Sequence, residues 1–281
     1  MQQRSTRLAL ALWSLLVIAF LWIPLVIIGL YAFNSSNVQG WPITDWTLHW
    51  FSVTWHNPDV RSAFWLSVRV GLVTTGIALV LGTMAAAAVA RYRFFGRDTV
   101  SFLFVLPLAL PGIITGISLL RFYDFAGIPI SIWTIVIGHT TFCVVVVYNN
   151  VVARLRRTSP SLIEASQDLG ADGWQTFRFV LWPVLSTALV AGGLLAFALS
   201  FDEVIVTYFT AGAQETLPIF ILDNIERGQQ LPVVNVVALF VIAVTAIPVL
   251  LAQRVMRDTG VIRRSSAQVT EAVEAAEIPA V

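Results

Sequence analysis

The sequence predicts an all-α membrane protein with six transmembrane helices, and three observations lead there. Hydrophobic residues make up 57% of the 281 residues. Charged residues make up 12%, about half the roughly 25% of a soluble domain. Apolar runs recur along the chain at or above the roughly 20 residues that a helix needs to cross the hydrocarbon.

The first span is expected at 8–33. It follows Arg4 and Arg7, but it is longer than the apolar core of a signal peptide and has no small-x-small cleavage site before Asn34, so it reads as a helix that stays in the membrane. The second span, at 62–90, carries one charge, Arg69. The third, at 99–120, holds Pro107, Pro111, Gly112 and Gly116. These are helix interruptions, tolerated where neighbours or a cavity satisfy the freed backbone groups; they serve either a gate or a packing kink. Spans four, five and six are expected at 125–153, 183–209 and 230–253. Together, residues 1–264 form the transmembrane domain. The polar, mildly acidic tail 265–281 is expected to be disordered or a frayed helix.

All 17 basic residues are arginine. Without lysine there is no phosphate-binding GK[ST] loop, so this chain does not hydrolyse ATP itself. If the spans alternate, thirteen of the 17 arginines fall on one set of flanks, Arg154, Arg156, Arg157 and Arg178 among them. The positive-inside rule then makes that side, and both termini, cytoplasmic. The first outward loop is rich in tryptophan, with Trp41, Trp46, Trp50 and Trp55, which fits a belt at headgroup level or a contact with a soluble partner. Cys143 is the single cysteine, so neither an internal disulfide nor a cysteine zinc site is possible; it reads as a small buried hydrophobe. No metal-ligand cluster and no catalytic constellation appears.

The polar insert between spans four and five, 158–182, is the most informative stretch. Ser161 followed by Glu164 fits a capping box and starts a helix near Pro160. Leu162, Ala165, Ser166 and Leu169 share one face, and Gly170 is a natural left-handed terminator. Asp172 with Gln175 repeats the capping pattern, and Trp174, Phe177, Val180 and Leu181 form a second amphipathic segment running to Pro183. Two short helices with a glycine hinge are expected, either as a surface connector or as a handle for a partner.

Glu164, Ala165, Ser166 and Gly170, with Val180, Leu181, Trp182 and Pro183 at the end, resemble the EAA loop of ABC importer permeases. Ser166 departs mildly from the usual Ala, and Trp182 stands where Leu is usual. The segments Leu106–Leu120, Ile137–Val147, Leu194–Gly212 and Glu215–Ile221 are similar to the second permease of spermidine/putrescine-type importers, closest to the polyamine or 4-aminobutyrate branch. The resemblance covers roughly Leu8 to Arg257. It implies the type I ABC importer permease fold with a cytoplasmic coupling helix in a bacterial inner membrane. It further implies a second homologous permease, two copies of an ATPase subunit and a periplasmic or lipoprotein binding protein as partners. ATP and Mg would be bound by the ATPase, with no cofactor in this chain and no nucleic acid. Glu164, Ala165, Ser166 and Gly170 would dock on the ATPase: Ala165 because a bulkier side chain would lift the helix from its cleft, Gly170 for the turn, and Glu164 for capping or an ion pair.

Four further residues are candidates for the transport path. Asp202 and Glu203 sit toward the end of span five, after Phe201, in a stretch that stays apolar to Phe209; Asp202 lies about 24 Å along the helix from Ser186 at 1.5 Å per residue. Acidic groups there are costly unless they face a cavity or a partner; either one lines the path for a cationic substrate, or they pair with Arg69 or Arg121 or cap a broken helix. Arg69 should face the bundle in an ion pair or snorkel outward. His139 is either a hydrogen-bonded core residue or a ligand or proton relay. An ion-gradient-driven secondary transporter is the rival class, though no inverted repeat is visible; an importer of another small solute, such as an amino acid, is a closer alternative.

Overall fold

The computed structural model describes residues 2–43, 45–92 and 94–276, and the described residues are helical almost throughout. Twelve α-helices occur in order: α1 Gln2–Ala32, α2 His49–His56, α3 Pro58–Arg91, α4 Arg97–Ala109, α5 Gly112–Ala126, α6 Ile132–Arg156, α7 Pro160–Asp168, α8 Gly173–Thr176, α9 Trp182–Phe201, α10 Ile205–Thr210, α11 Leu217–Glu226 and α12 Leu231–Ala276. A π-helical turn, Phe177–Leu181, joins α8 to α9.

Five of these segments are long and apolar enough to cross a membrane alone, and α4 with α5 makes a sixth only as a pair bent by 104°. The bend lies where the prolines and glycines of span three predict an interruption. Leu110 is extended (φ −79°, ψ 139°) because the ring of Pro111 disfavours the helical region for the residue before it. The helix restarts at Gly112.

The chain divides into two compact units, 1–66 with 215–243 and 67–214 with 244–281. In the first, an isolated bridge pairs Asn34 with Trp46, and Trp50 Nε1 donates to the Asn34 carbonyl at 2.9 Å. Trp41, Trp46 and Trp55 stay exposed, as a belt at the interface would. Asn57 Nδ2 donates to Gln230 Oε1 at 3.1 Å, tying the start of α3 to the start of α12. Leu217, Phe220, Val233, Val236 and Val237 form the buried faces of α11 and α12.

In the second unit α6 is the central helix, with two-thirds of its apolar window buried. Phe142, Cys143, Val147, Tyr148 and Val151 of α6 meet Ala78, Ala86 and Val89 of α3 and Leu185 and Ala196 of α9. In lipid no hydrophobic force separates helix from tail, so close backbone approach supplies the packing. Gly82 shows it: a Cβ there would sit 2.9 Å from the Val144 carbonyl oxygen and from Val147 Cβ.

Two boundaries differ from the sequence reading. Phe125 and Ala126 end α5 and do not begin span four; Gly127 is left-handed (φ 64°), and Ser131 with Thr134 makes the capping box that starts α6. Span five stops at Phe201, not 209, because the chain breaks at Asp202–Val204 and resumes as the separate α10. The tail is helical through Ala276, one of the two forms expected of it. Residues 261–276 contain no Gly or Pro and so nothing that would stop a helix; 277–281 lie outside the described residues.

Candidate functional site

The insert folds into two capped helices. Its first cap is not Ser161: Ser159 is the N-cap, its side chain accepting from Ser161 N at 3.3 Å, with Pro160 at the first helical position. Proline is preorganised for that position, so the helix starts at Pro160 as expected while the cap lies two residues upstream of Ser161, leaving Glu164 outside any capping box. At the other end, Gly170 adopts φ 80°. Its N–H donates to Gln167 O at 2.8 Å while Ala171 N donates to Ser166 O at 3.0 Å, the paired bonds of a Schellman motif. Asp172 then caps α8: Gln175 N donates to Asp172 Oδ1 at 2.8 Å, and Asp172 N donates to Gln175 Oε1 at 2.9 Å.

Ser166, unusual for its position, has a structural purpose. It donates to Ile163 O at 2.7 Å, so its oxygen accepts from the Thr176 hydroxyl at 2.9 Å, and both side chains are buried. This bond clamps α7 to α8. The rest of the α7 face points to solvent. Leu162, Glu164 and Ala165 are exposed, and Leu169 is 89% exposed. Here is an apolar strip with a small residue at its centre and an acid on its flank.

The second constellation lies where span five breaks. His139 of α6 is 1% exposed. Its Nδ1 lies 2.8 Å from Ser200 Oγ at the end of α9, and its Nε2 lies 2.8 Å from Thr207 Oγ1 of α10. Thr207 spends its one hydroxyl proton on the Glu203 carbonyl at 2.7 Å. Its oxygen must therefore accept from Nε2–H, and Nδ1 accepts from Ser200. The imidazole is a core staple holding the two sides of the break together, with no free nitrogen for a ligand. Close by, Tyr123 OH donates to Thr134 O at 3.0 Å, and the single hydroxyl proton of Thr134 is shared between Ser131 O at 2.6 Å and Thr210 O at 2.8 Å, which brings α5 and α6 to the far end of α10. Ser200, Thr207, Thr134 and Tyr123 escaped the sequence reading. The i, i+3, i+7 spacing of Ser200, Glu203 and Thr207 in the sequence was the available signal for Ser200 and Thr207; Thr134 and Tyr123 offered none.

Glu203 stands just before Val204, the N-cap of α10, and its Oε1 accepts from Val206 N at 3.0 Å, so its side chain helps to cap the restarted helix. Asp202 is exposed and its side chain has no such role. The ion pairs among the described residues join Arg121 to Asp124 (3.9 Å) and Arg227 to Asp223 (3.5 Å), so neither Arg69 nor Arg121 neutralises Asp202 or Glu203. Arg69 is exposed on α3. It is 22 residues from Arg91, about 33 Å of helix, which matches a hydrocarbon core of roughly 30 Å.

Residues 78–258 match the family described as "Binding-protein-dependent transport system inner membrane component". The chain is 32% identical over 247 residues to the spermidine/putrescine transport system permease protein PotC of Escherichia coli K12, covering 86% of this chain and 91% of PotC. It is 32% identical over 243 residues to the putrescine transport system permease protein PotI of the same organism, covering 83% and 85%. Among solved structures, one of a bacterial alginate ABC transporter in complex with alginate pentasaccharide-bound periplasmic protein superposes with a TM-score of 0.62 at 14% identity over 91% of this chain and 97% of that one. An inward-facing form of the MetNI methionine ABC transporter superposes with 0.59 at 19% identity over 71% and 94%.

Proposed function

The chain belongs to the binding-protein-dependent transport system inner membrane components, and we propose that it forms half of the membrane path of an ATP-driven importer for polyamines such as putrescine or spermidine, or for 4-aminobutyrate. The observation that carries this reading is the 32% identity to PotC along 86% of the chain, in a protein with the multi-pass permease fold. The proposed partners are a second homologous permease, two copies of an ATPase subunit that bind ATP and Mg, and a periplasmic or lipoprotein binding protein that delivers substrate. Both termini and the insert 158–182 face the cytoplasm in this reading.

The open strip Leu162, Ala165 and Leu169 suits docking in an ATPase cleft, with Glu164 available for an ion pair and Gly170 setting the angle between the helices. Of the two acids at the break in span five, Asp202 is the one free to meet a cation, since Glu203 is engaged as a cap. The test is ATP-dependent uptake of labelled putrescine by proteoliposomes holding the complex, with spermidine and 4-aminobutyrate as competitors and with Asp202→Asn and Glu203→Gln variants. Putrescine uptake that requires ATP and the ATPase subunits, and that falls with Asp202→Asn, supports the proposal. Uptake by this chain alone under an ion gradient would refute it; unchanged uptake by Asp202→Asn would remove that residue from the path.

A further inference from the structure

We infer that the π-helical turn at the foot of span five is a binding site for one anionic phospholipid of the cytoplasmic leaflet. The turn Phe177–Leu181 interrupts an otherwise α-helical run from Gly173 to Phe201, and single π turns of this kind recur at functional positions. Its effect is to gather Trp174, Phe177, Arg178, Phe179 and Trp182 around one open cavity of about 520 Å³.

The rings are organised. Trp174 and Phe177 stack with centroids 5.7 Å apart, and Phe177 and Trp182 meet at 6.3 Å. The Arg178 guanidinium carbon stands 5.9 Å from the centre of the Phe179 ring. Trp174, Phe179 and Trp182 are each more than half exposed, and Arg178 is exposed without an ion pair among the described residues. Four large aromatic faces open to solvent around one cation would be unfavourable in water.

At a headgroup layer the same set is favourable. Indoles sit at that depth, aliphatic chains cover the ring faces, and a guanidinium takes a phosphate in bidentate fashion. Position supports this occupant. Pro183 follows directly and opens span five, and Arg154 Nε donates to the Val184 carbonyl at 2.9 Å, which brings the basic end of α6, with exposed Arg156 and Arg157, to the same level. The Arg178 guanidinium beside an aromatic-lined recess complements a phosphodiester with its acyl chains, while Arg156 and Arg157 lie outside the recess and mark only the depth of the headgroup layer. The exposed strip of α7, which lacks aromatic rings, is left to the ATPase. Lipid binding here would steady the join through which movement of α7 reaches α9.

The inference rests on the cytoplasmic placement of the insert, and the experiment separates the two. The complete complex is extracted into detergent and its retained lipid counted by native mass spectrometry during titration with phosphatidylglycerol or phosphatidylcholine. One basic residue near a membrane surface contributes about 1 kcal/mol, so Arg178→Gln should weaken retention of the first phosphatidylglycerol about fivefold. Arg178→Lys should lose less, Arg157→Gln should leave that first lipid in place, and phosphatidylcholine should show no such step. Equal retention by wild type and Arg178→Gln overturns the proposal. So does retention only after the ATPase subunits are stripped away, which would make the cavity a protein interface. Placement is read independently by labelling Gln175→Cys in a Cys143→Ser background: reaction from the cytoplasmic side upholds the leaflet, and reaction from the outside overturns both the topology and the site's assignment to that leaflet.

Discussion

Replacing His139 and Thr207 singly and together tests the staple across the break in span five. Both ring nitrogens of His139 are bonded at 2.8 Å in a site sealed from solvent. Thr207→Val keeps the side-chain shape but removes the oxygen that accepts from Nε2, leaving a buried donor unpaired at a cost of about 1–3 kcal/mol. Hydrogen bonds between membrane helices average about 0.6 kcal/mol in double-mutant cycles and reach about 1.7. Short distances and full burial place this one in the upper half, so the His139→Leu/Thr207→Val cycle should give a coupling of about 1–1.7 kcal/mol. Unfolding of the purified protein by increasing denaturing detergent in mixed micelles provides the assay. Strictly additive losses would show that the ring does not join α9 and α10 through Thr207, and the account of the break would fail.

Three further outcomes follow from single residues. A Cβ on Gly116 would lie 2.6 Å from Phe209 Cδ2, so Gly116→Ala should destabilise by about 1–3 kcal/mol through overpacking, and adding Phe209→Leu should restore most of it in the same assay; no rescue would place the strain elsewhere. Gly170 has φ 80° and nothing within 4 Å of where a methyl group would stand, so Gly170→Ala should cost only the left-handed penalty of about 1–2 kcal/mol, and Gly170→Asn clearly less; equal losses for the two would contradict the hinge conformation. Burial raises the Glu215 carboxyl above its ordinary value, with Asp223 and Asp59 adding to the rise and Arg227 opposing it. The folded state therefore holds this proton more tightly than the unfolded one, and stability falls as pH rises from the unfolded pKa through the folded one. Glu215→Gln should flatten that fall in stability measured from pH 4 upward.

What the sequence made legible were features stated by local chemistry. Asp172 with Gln175, Gly170 as terminator, and the interruption at Pro111 each follow from backbone rules that operate over a few residues. Where two such rules competed, the reading went astray: Ser161 and Glu164 have capping spacing, but Pro160 makes Ser159 the better cap. The end of span five was hidden for a different reason. Residues 204–209 are as apolar as the helix before them, so the expected span runs on past Asp202 and Glu203 to 209, across a break that the Ser200, His139 and Thr207 bonds stabilise from 61 and 68 residues away. Ser166 looked like a departure from a family pattern, and only its contact with Thr176 shows why a hydroxyl serves there. The 104° bend could be foreseen as an interruption but not as an angle, because packing sets the angle.

The proposed importer depends above all on α7 transmitting ATP hydrolysis to the membrane helices. Hydrolysis stimulated by substrate-loaded binding protein, in proteoliposomes carrying the complex with Ala165→Arg, probes that role at its centre. Ala165 is exposed in the middle of the α7 strip, so the variant should fold and unfold like wild type. Stimulation and putrescine uptake should both be lost. Stimulation and uptake at wild-type levels would contradict the coupling role of α7.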